Sequence, residues 1–299
     1  MRVAITGANG MLGAELLARL AGRHEVLALG LGEPPPPTQG TQWREADLGD
    51  GRSAEQAILD FRAEAVLHAG AVTDVDGCER DVDLAWRVNV GGTEQVARAC
   101  RALGARLVAV STDYVFDGEA GPYAEDDVPN PRGAYARTKR CGEEAALLLA
   151  PDCAVGRVAV LYSGRPGAKP TFATQIVEKL QRGEPLKIFS DQIVSPTLAS
   201  NAADMLLELL LEHDYRGVLH TTGATVIGRI PFTEQLARRF GLSGEIIPVK
   251  TAEVKLPAPR PLRGGLKVER AAALLRHRPL LLDEALDLFH AEWMSRAGR

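Results

Sequence analysis

The stretch Gly7-Ala8-Asn9-Gly10-Met11-Leu12-Gly13 constrains this chain more than any other, because of what stands on either side of it. Val3 to Thr6 is a short apolar run of strand character, and Met11 to Ala21 repeats its apolar residues at helical spacing. Strand, glycine turn and helix in that order begin a parallel α/β sheet. In such a unit the first glycine permits the tight turn, the second lets the backbone approach a pyrophosphate, and the third lets the helix pack closely on the strand. The helix N-terminus adds a favourable field for the anion. On this reading Gly7, Asn9, Gly10, Met11, Leu12 and Gly13 line a dinucleotide. The spacing G-x-x-G-x-x-G differs by one residue from the usual fingerprint, so a purely structural glycine turn stays open.

The alternation continues. Glu25 to Leu29 reads as a strand ending at Gly30-Leu31-Gly32, where an acidic residue would hold the adenosine ribose of NAD. No acid stands there and no arginine follows directly, which tilts the reading modestly from NAD(H) towards NADP(H). Glu33 to Gly40, with four successive prolines, is a stiff surface loop. Asp47 and Leu48 either meet the adenine or lie in a surface loop. Ser53 to Arg62 is helical, and Ala65 to His68 is a strand leading into Ala69-Gly70-Ala71, small residues that give a cofactor clearance. His68 reads as a hydrogen-bonded structural residue rather than a ligand. Asp83 to Leu103 reads as one long helix containing Asn89. Arg106 to Val110 is the next strand, and it delivers Ser111-Thr112-Asp113 to the carboxyl edge, where hydroxyls can contact a substrate carbonyl.

Tyr135 and Lys139 lie four residues apart in a helical segment running to Ala150, so both project from one face. An ammonium held near a phenol favours the phenolate, lowers the tyrosine's pKa and makes it a proton donor or acceptor near neutral pH. The spacing alone is common, and its weight comes from the glycine turn and Thr112 placed around it.

Composition excludes other classes. With 35 basic and 39 acidic residues the net charge is −4 and no basic block appears, so nucleic acid is not an expected partner. Neither a signal-peptide pattern nor an apolar run of membrane-spanning length is present, which points to a cytoplasmic protein without a membrane partner. Cys78, Cys100, Cys141 and Cys153 have no C-x-x-C spacing, arguing against both zinc and disulfides and for core or helix-face positions.

The second half reads as a strand at Ala154 to Leu161, a Gly/Pro-rich turn at Gly164 to Pro170, a helix at Thr171 to Arg182 and a strand at Pro185 to Phe189. Pro196 is expected to open a helix to about Leu211, followed by a strand at Gly217 to Thr221. Phe232 to Phe240, Ile246 to Val249, a loop at Pro257 to Gly265, and helices near Val268 to Leu275 and Leu282 to Met294 complete the chain.

The glycine turn, strand-end Thr112 and the Tyr135/Lys139 pair, in this order, resemble the short-chain dehydrogenase/reductase superfamily. Ser-Thr-Asp-Tyr-Val-Phe-Asp-Gly at 111 to 118, His68 to Glu79, Asp191 to Thr197 and Arg260-Pro261 resemble its extended branch that contains dTDP-4-dehydrorhamnose reductase, over nearly the full length. The fold implied is α/β, a Rossmann-type doubly wound parallel sheet with a smaller α/β substrate-binding lobe. Residues 1–161 plus 194–223 would form the NAD(P)-binding domain, and 162–193 plus 224–299 the substrate lobe and C-terminal helices.

The resemblance also implies a chemistry. Nicotinamide delivers hydride to a ketone carbon, Tyr135 gives a proton to the carbonyl oxygen, Lys139 holds the nicotinamide ribose and lowers the tyrosine's pKa, and Thr112 hydrogen-bonds the developing oxyanion. Asp113 and Val160 fall on the sugar side; Arg260 is either a diphosphate contact or a solvent-exposed loop residue. The substrate implied is a nucleotide-linked 4-keto-deoxysugar, with dTDP-4-dehydro-L-rhamnose reduced to dTDP-L-rhamnose. An epimerase with bound NAD and a non-catalytic cofactor-binding subunit like the methionine adenosyltransferase β subunit are the alternatives. Tyr114 argues against a 4,6-dehydratase, which carries Glu there. Val160 replaces a tryptophan of the rhamnose reductases, Gly77 a lysine of some members, Pro231 a common tryptophan and Gly264 a serine, all on the substrate side. Homodimers through the helices at 83–103 and 135–150 are common in the superfamily. Some relatives bind Mg²⁺ between subunits, with Glu15 the candidate here, although no metal is predicted.

Overall fold

The first apolar runs become strands whose residues alternate between two helical layers. A computed structural model describes residues 1–165 and 170–297, so most of the turn expected at Gly164 to Pro170 lies outside the described residues. Seven strands form one sheet: β1 Arg2–Thr6, β2 Glu25–Gly30, β3 Thr41–Glu45, β4 Ala65–His68, β5 Arg106–Thr112, β6 Cys153–Val158 and β7 Gly217–His220. All pair in parallel, in the order β7-β6-β5-β4-β1-β2-β3. The order reverses direction between β1 and β4, which is where open α/β sheets bind ligands.

Helices α1 Met11–Leu20, α2 Ser53–Phe61, α3 Val75–Arg80, α4 Val82–Trp86, α5 Gly92–Leu103, α6 Ala134–Leu149, α7 Phe172–Gln181 and α8 Ala199–Leu211 follow in chain order. Then come α9 Arg229–Arg239, α10 Glu269–Leu274 and α11 Leu282–Ala297. Val3, Ile5, Val26 and Leu67 share one core with Leu16 and Leu20 of α1 and Leu206 of α8. Ala4, Leu27, Leu29 and Val66 share the other with Ile58 of α2 and Val96 of α5. This is the two-residue period of a strand buried on both faces. Each fully buried Leu or Ile contributes about 1.5–3 kcal/mol. A third core joins Ile176 and Leu180 of α7, Phe232 and Leu236 of α9 and Phe289 of α11 around Tyr162, whose ring meets Phe289 at 5.3 Å. Among the described residues no helix is long and apolar enough to cross a membrane.

Three expected elements differ. The single helix at 83–103 is divided into α4, a π-helical segment at Arg87–Gly91, and α5. Asn89 in that segment accepts from the Val72 amide at 2.8 Å and donates to the Val72 carbonyl at 3.2 Å and to Thr138 Oγ1 at 3.0 Å. A wider turn brings a polar side chain inward at a point where a regular helix would not, a common use of π geometry. The strand expected to reach Leu161 stops at Val158, because Val160 adopts φ +40° and turns the chain out of the sheet. Leu161–Tyr162 then pairs in parallel with Thr197–Leu198. That pairing commits the backbone after Pro196 to a ladder, so α8 starts at Ala199 and not at Pro196. β7 enters the main sheet beside β6.

The glycine turn is sterically closed. A Cβ on Gly13 would lie 2.2 Å from the Gly7 carbonyl, and one on Gly7, itself at φ +69°, would lie 2.7 Å from the Gly70 amide nitrogen. Both contacts are to backbone and cannot swing aside. Gly13→Ala is expected to destabilise the chain by about 1–3 kcal/mol, the usual cost of overpacking a tight contact. Urea denaturation measures it; unchanged stability would mean that the helix and strand are free to separate.

Candidate active site at the carboxyl edge

Thr112 is the last residue of β5, and a single 3₁₀ turn, Asp113–Val115, follows it. The Thr112 hydroxyl donates to Asp113 Oδ1 at 3.1 Å and accepts from the Tyr114 amide at 3.2 Å. Tyr135 sits in the first turn of α6, whose start is fixed by Glu79 Oε1 accepting the Ala134 amide at 2.6 Å. Its ring packs edge-on against Tyr114 at 5.8 Å. Lys139, one turn further, is buried and donates from Nζ to the Val110 carbonyl at 2.8 Å. The helix therefore brings Tyr135 and Lys139 to the end of β5, beside Thr112.

The electrostatics depart from the sequence expectation in one respect. Burial pushes the Tyr135 phenol above its ordinary pKa, opposed by a hydrogen bond with Thr112 and reinforced by Asp113. The expected depression by Lys139 is not seen, because the ammonium is turned onto the Val110 carbonyl and desolvation of a phenolate outweighs the remaining effects. Burial also pushes Lys139 down to about 8, with Glu143 acting the other way. Asp113 is pushed up to about 6 by burial, against the hydrogen bond from Thr112.

The residues assigned to a cofactor gather around the sheet's switch point. Gly10 precedes α1 without a side-chain cap, and no acidic residue occupies the helix's first turn, leaving the amides of Met11 and Leu12 at a positive helix end. The Gly70 amide donates to Thr6 Oγ1 at 3.1 Å, and Ala69 and Ala71 flank it. Leu48 packs against Gly70, where an added Cβ would meet its Cδ1 at 2.6 Å. Asn9 Nδ2 donates to the Leu31 carbonyl at 2.8 Å and ties down the loop after β2. Asp47 turns its carboxylate onto the Gly49 amide at 2.7 Å. The closed glycine contacts and the uncapped helix end fit a dinucleotide pyrophosphate. His68 bonds Thr6 Oγ1 at 2.7 Å and Thr93 Oγ1 at 3.0 Å, a structural histidine.

On the other side of Thr112, Arg260 is neither solvent-exposed nor unpaired. Its guanidinium donates to Asp76 Oδ2 at 2.7 Å and to the Ala258 carbonyl at 3.0 Å, and it borders a pocket of ≈ 50 Å³ shared with Tyr114, Arg132 and Pro261. The Asp113 carboxylate lies 3.7 Å from where a side chain on Gly264 would begin. Val160 places its carbonyl on the Thr197 amide at 3.2 Å. Glu15, the candidate for Mg²⁺, is buried between the guanidinium of Arg19 at 2.7 Å and that of Arg165 at 2.6 Å, and two cations already neutralise it. Among the described residues no group of three or more His, Cys, Asp or Glu is arranged to hold a metal. Cys78, Cys100 and Cys153 are buried and Cys141 is half-buried, all as free thiols.

Two residues emerge that the sequence did not single out as part of the site. Asn89 joins the segment after β4 to α6 next to Lys139. Arg229, the first residue of α9, is anchored by Nε on Gln192 Oε1 at 2.6 Å and lies over the Phe172 ring at 4.6 Å. Burial pushes its pKa down, and Tyr114 and Asp113 act against that, so its charge faces the Thr112 turn. Among the described residues it makes no ion pair with a carboxylate. An arginine after a glycine carries no distinguishing sequence signal, whereas the buried Asn89 between two valines offered one.

A family model described as "RmlD substrate binding domain" matches residues 1–293. A dTDP-4-dehydrorhamnose reductase of Mycobacterium tuberculosis H37Rv is 37% identical over 268 residues, covering 87% of this chain and 82% of that protein. A solved structure described as a hypothetical dTDP-4-dehydrorhamnose reductase from Sulfolobus tokodaii is 34% identical with a TM-score of 0.83, covering 95% and 98% of the two chains. The dTDP-4-dehydrorhamnose reductase of Bacillus anthracis, solved with NADP, is 26% identical with a TM-score of 0.83, covering 97% and 99%. The match runs through the glycine turn, the Thr112 turn and the second lobe alike, and the chain belongs to the RmlD substrate binding domain family.

Proposed function

We propose that this protein is an NAD(P)H-dependent reductase of the 4-keto group of a nucleotide-linked deoxysugar, with dTDP-4-dehydro-L-rhamnose converted to dTDP-L-rhamnose as the leading reaction. The observation that carries the reading is that Thr112, at the end of β5, meets one face of α6 bearing Tyr135 and Lys139, with Lys139 Nζ on the Val110 carbonyl of the same strand at 2.8 Å, all at the sheet's ligand-binding edge. When bound, a reduced nicotinamide supplies the hydride. Gly7, Gly10, Gly13 and the Ala69-Gly70-Ala71 segment hold the dinucleotide, in what we take to be a cofactor domain of residues 1–161 plus 194–223. The reductases among the relatives, one of them solved with NADP, support the cofactor class.

Tyr135 works as a protonated donor. A phenol held above its ordinary pKa keeps its proton at neutral pH, and the alkoxide formed from a ketone is a far stronger base, so transfer to it runs downhill. Thr112, whose single proton is given to Asp113 in the free site, turns that proton to the oxyanion as its charge develops. Lys139, still largely charged at neutral pH, supplies the nearby positive field and a donor for the cofactor ribose. Asp113 accepts from a sugar hydroxyl, and Arg229 offers donors to an electronegative group of the substrate.

Tyr135→Phe is expected to lower kcat by about 10²–10⁴-fold, the range for loss of a positioned general acid, while NADPH still binds. Stopped-flow reduction of dTDP-4-dehydro-L-rhamnose with fluorescence titration of NADPH checks both; near-normal turnover would remove Tyr135 from the chemistry. Arg229→Gln is expected to raise KM for the sugar nucleotide by roughly 10-fold, as for a lost hydrogen bond from a charged group, with NADPH affinity unchanged. An unchanged KM would leave Arg229 a packing residue on Phe172. NADPH is expected to outperform NADH in kcat/KM because β2 ends in Gly30 without a carboxylate. A preference for NADH would point to Glu45, whose Oε1 accepts the Gly32 amide at 3.0 Å, as the ribose contact.

A further inference from the structure

A small cavity of ≈ 10 Å³ lies beside Lys139, bordered on its polar side by His68, Thr93, Ser111, Lys139 and Glu143 and on the other by apolar residues of β5 and β6. It has room for about one water molecule and enough polar walls to hold it. Ser111 on β5 is buried, and its hydroxyl makes no well-formed hydrogen bond, although it lies close enough to help hold the Glu143 carboxyl down. A buried hydroxyl without a partner, facing a one-water cavity, is itself an indication of a bound water.

Glu143 lies one turn of α6 beyond Lys139 and is almost fully buried. Its Oε1 accepts from Arg157 Nε at 2.8 Å, and its Oε2 from Arg157 Nη2 at 2.8 Å and Arg140 Nη1 at 3.0 Å. Arg157, on β6, is equally buried, lies over Phe116 at 5.0 Å and approaches His220 Nε2 at 3.4 Å. Such a pair is a poor way to gain stability, because desolvating both ions costs several kcal/mol and a packed apolar pair would serve as well. Its location beside the active lysine supplies a different reason for it.

We propose that Glu143 is a positioning residue that keeps Lys139 charged, acting through a water that Ser111 holds in this cavity; the role presupposes that Lys139 serves the reduction described above. The groups facing Lys139 are few. β4 presents His68, which burial keeps neutral, and the turn after β5 presents Asp113 and Tyr114. β6 presents Arg157, already paired; α5 and the π segment present uncharged Thr93 and Asn89; α3 presents Cys78 and Glu79, the latter fixing the Ala134 amide. On α6 itself stand Tyr135 and Glu143, and Glu143 is the charge that opposes the effect of burial on the ammonium. Removing that charge takes away the attraction that opposes burial and so favours the neutral amine.

The test reads Lys139 directly and does not need the substrate. With 7 lysines in the chain, [¹⁵N]lysine labelling and a Lys139→Arg control identify its Nζ resonance, and its titration is followed by NMR. In Glu143→Gln the midpoint is expected to fall by about one pH unit from the wild-type value; Glu143→Asp restores part of it, and Ser111→Ala shifts it the same way by less. Ser111→Ala leaves the Glu143–Arg157 pair intact, so it carries the test if Glu143→Gln does not fold. An unchanged midpoint in folded Glu143→Gln, or in Ser111→Ala, overturns the proposal. With sugar nucleotide and NADPH, the basic limb of kcat in Glu143→Gln should move down by the same amount with KM unchanged. A uniform loss at all pH values would mark a structural role instead. Absence of turnover in the wild type, with the lysine shift still present, would count against the reductase reading and leave the Glu143–Lys139 coupling standing.

Discussion

The carboxyl ends of β1 and β4 touch through glycines, and the architecture of the site depends on that contact. A Cβ on Gly7 would run into the Gly70 backbone, Gly70 is itself closed in by the tip of Leu48, and Gly13 brings α1 down onto the same turn. With no side chains between them, the switch point of the sheet is lined by backbone amides and a helix end, which suits an anion and little else. β5 is registered against β4, which is itself registered against β1, so the position of Thr112 at the end of β5 follows from the same geometry. The helix carrying Tyr135 and Lys139 packs against β5 and β6, which sets both residues at the edge that the glycines open.

Burial at that edge sets the protonation states. Tyr135 is held protonated, Lys139 is brought within reach of neutral pH and Asp113 is raised towards it, with desolvation the leading cause in each. Lys139 and Asp113 thus converge on the working range from opposite directions, while Tyr135 moves away from it and keeps its proton. A proton donor that keeps its proton until the substrate's charge develops is better suited to reduction than one already ionised, and a raised phenol pKa is compatible with that role while making the proton harder to release.

Much of this was legible in the sequence, for physical reasons that differ from residue to residue. Gly7 to Gly13 is readable because only glycine meets the steric demand of the turn, and Tyr135 with Lys139 because i,i+4 spacing fixes a shared helix face. The π segment around Asn89 was not, since periodicity reports an average helix and one wider turn barely alters it. Nor was the break at Val160, because a β-branched residue at φ +40° is the one a sequence argument would place in a continuous strand. The partners of Arg260 and the surroundings of Arg229 depend on contacts between elements far apart in the chain. The direction of the Tyr135 shift was misjudged because the lysine's spacing is visible in the sequence and the depth of burial is not.

The substrate side is where those long-range contacts gather, and its substitutions act together. Left-handed geometry costs an ordinary residue about 1–2 kcal/mol and survives only where the surroundings impose it. At Val160 they do, through the bond to the Thr197 amide and the pairing of Leu161–Tyr162 with Thr197–Leu198, which also seats the lobe core under Tyr162. The tryptophan expected of a rhamnose reductase at that position is absent, and with it an aromatic surface for the sugar. In exchange, Gly264 adds no hydroxyl beside Asp113 Oδ2, leaving the Thr112 hydroxyl on Oδ1, and Arg229, braced by Gln192 and Phe172, adds a guanidinium facing the same turn. Stacking is tolerant of hydroxyl configuration, whereas a carboxylate and a guanidinium at fixed positions are not. On the reductase reading proposed above, a site that gives up the first for the second would select its sugar by where the oxygens stand, and Asp113 and Arg229 are the two groups placed to make that selection.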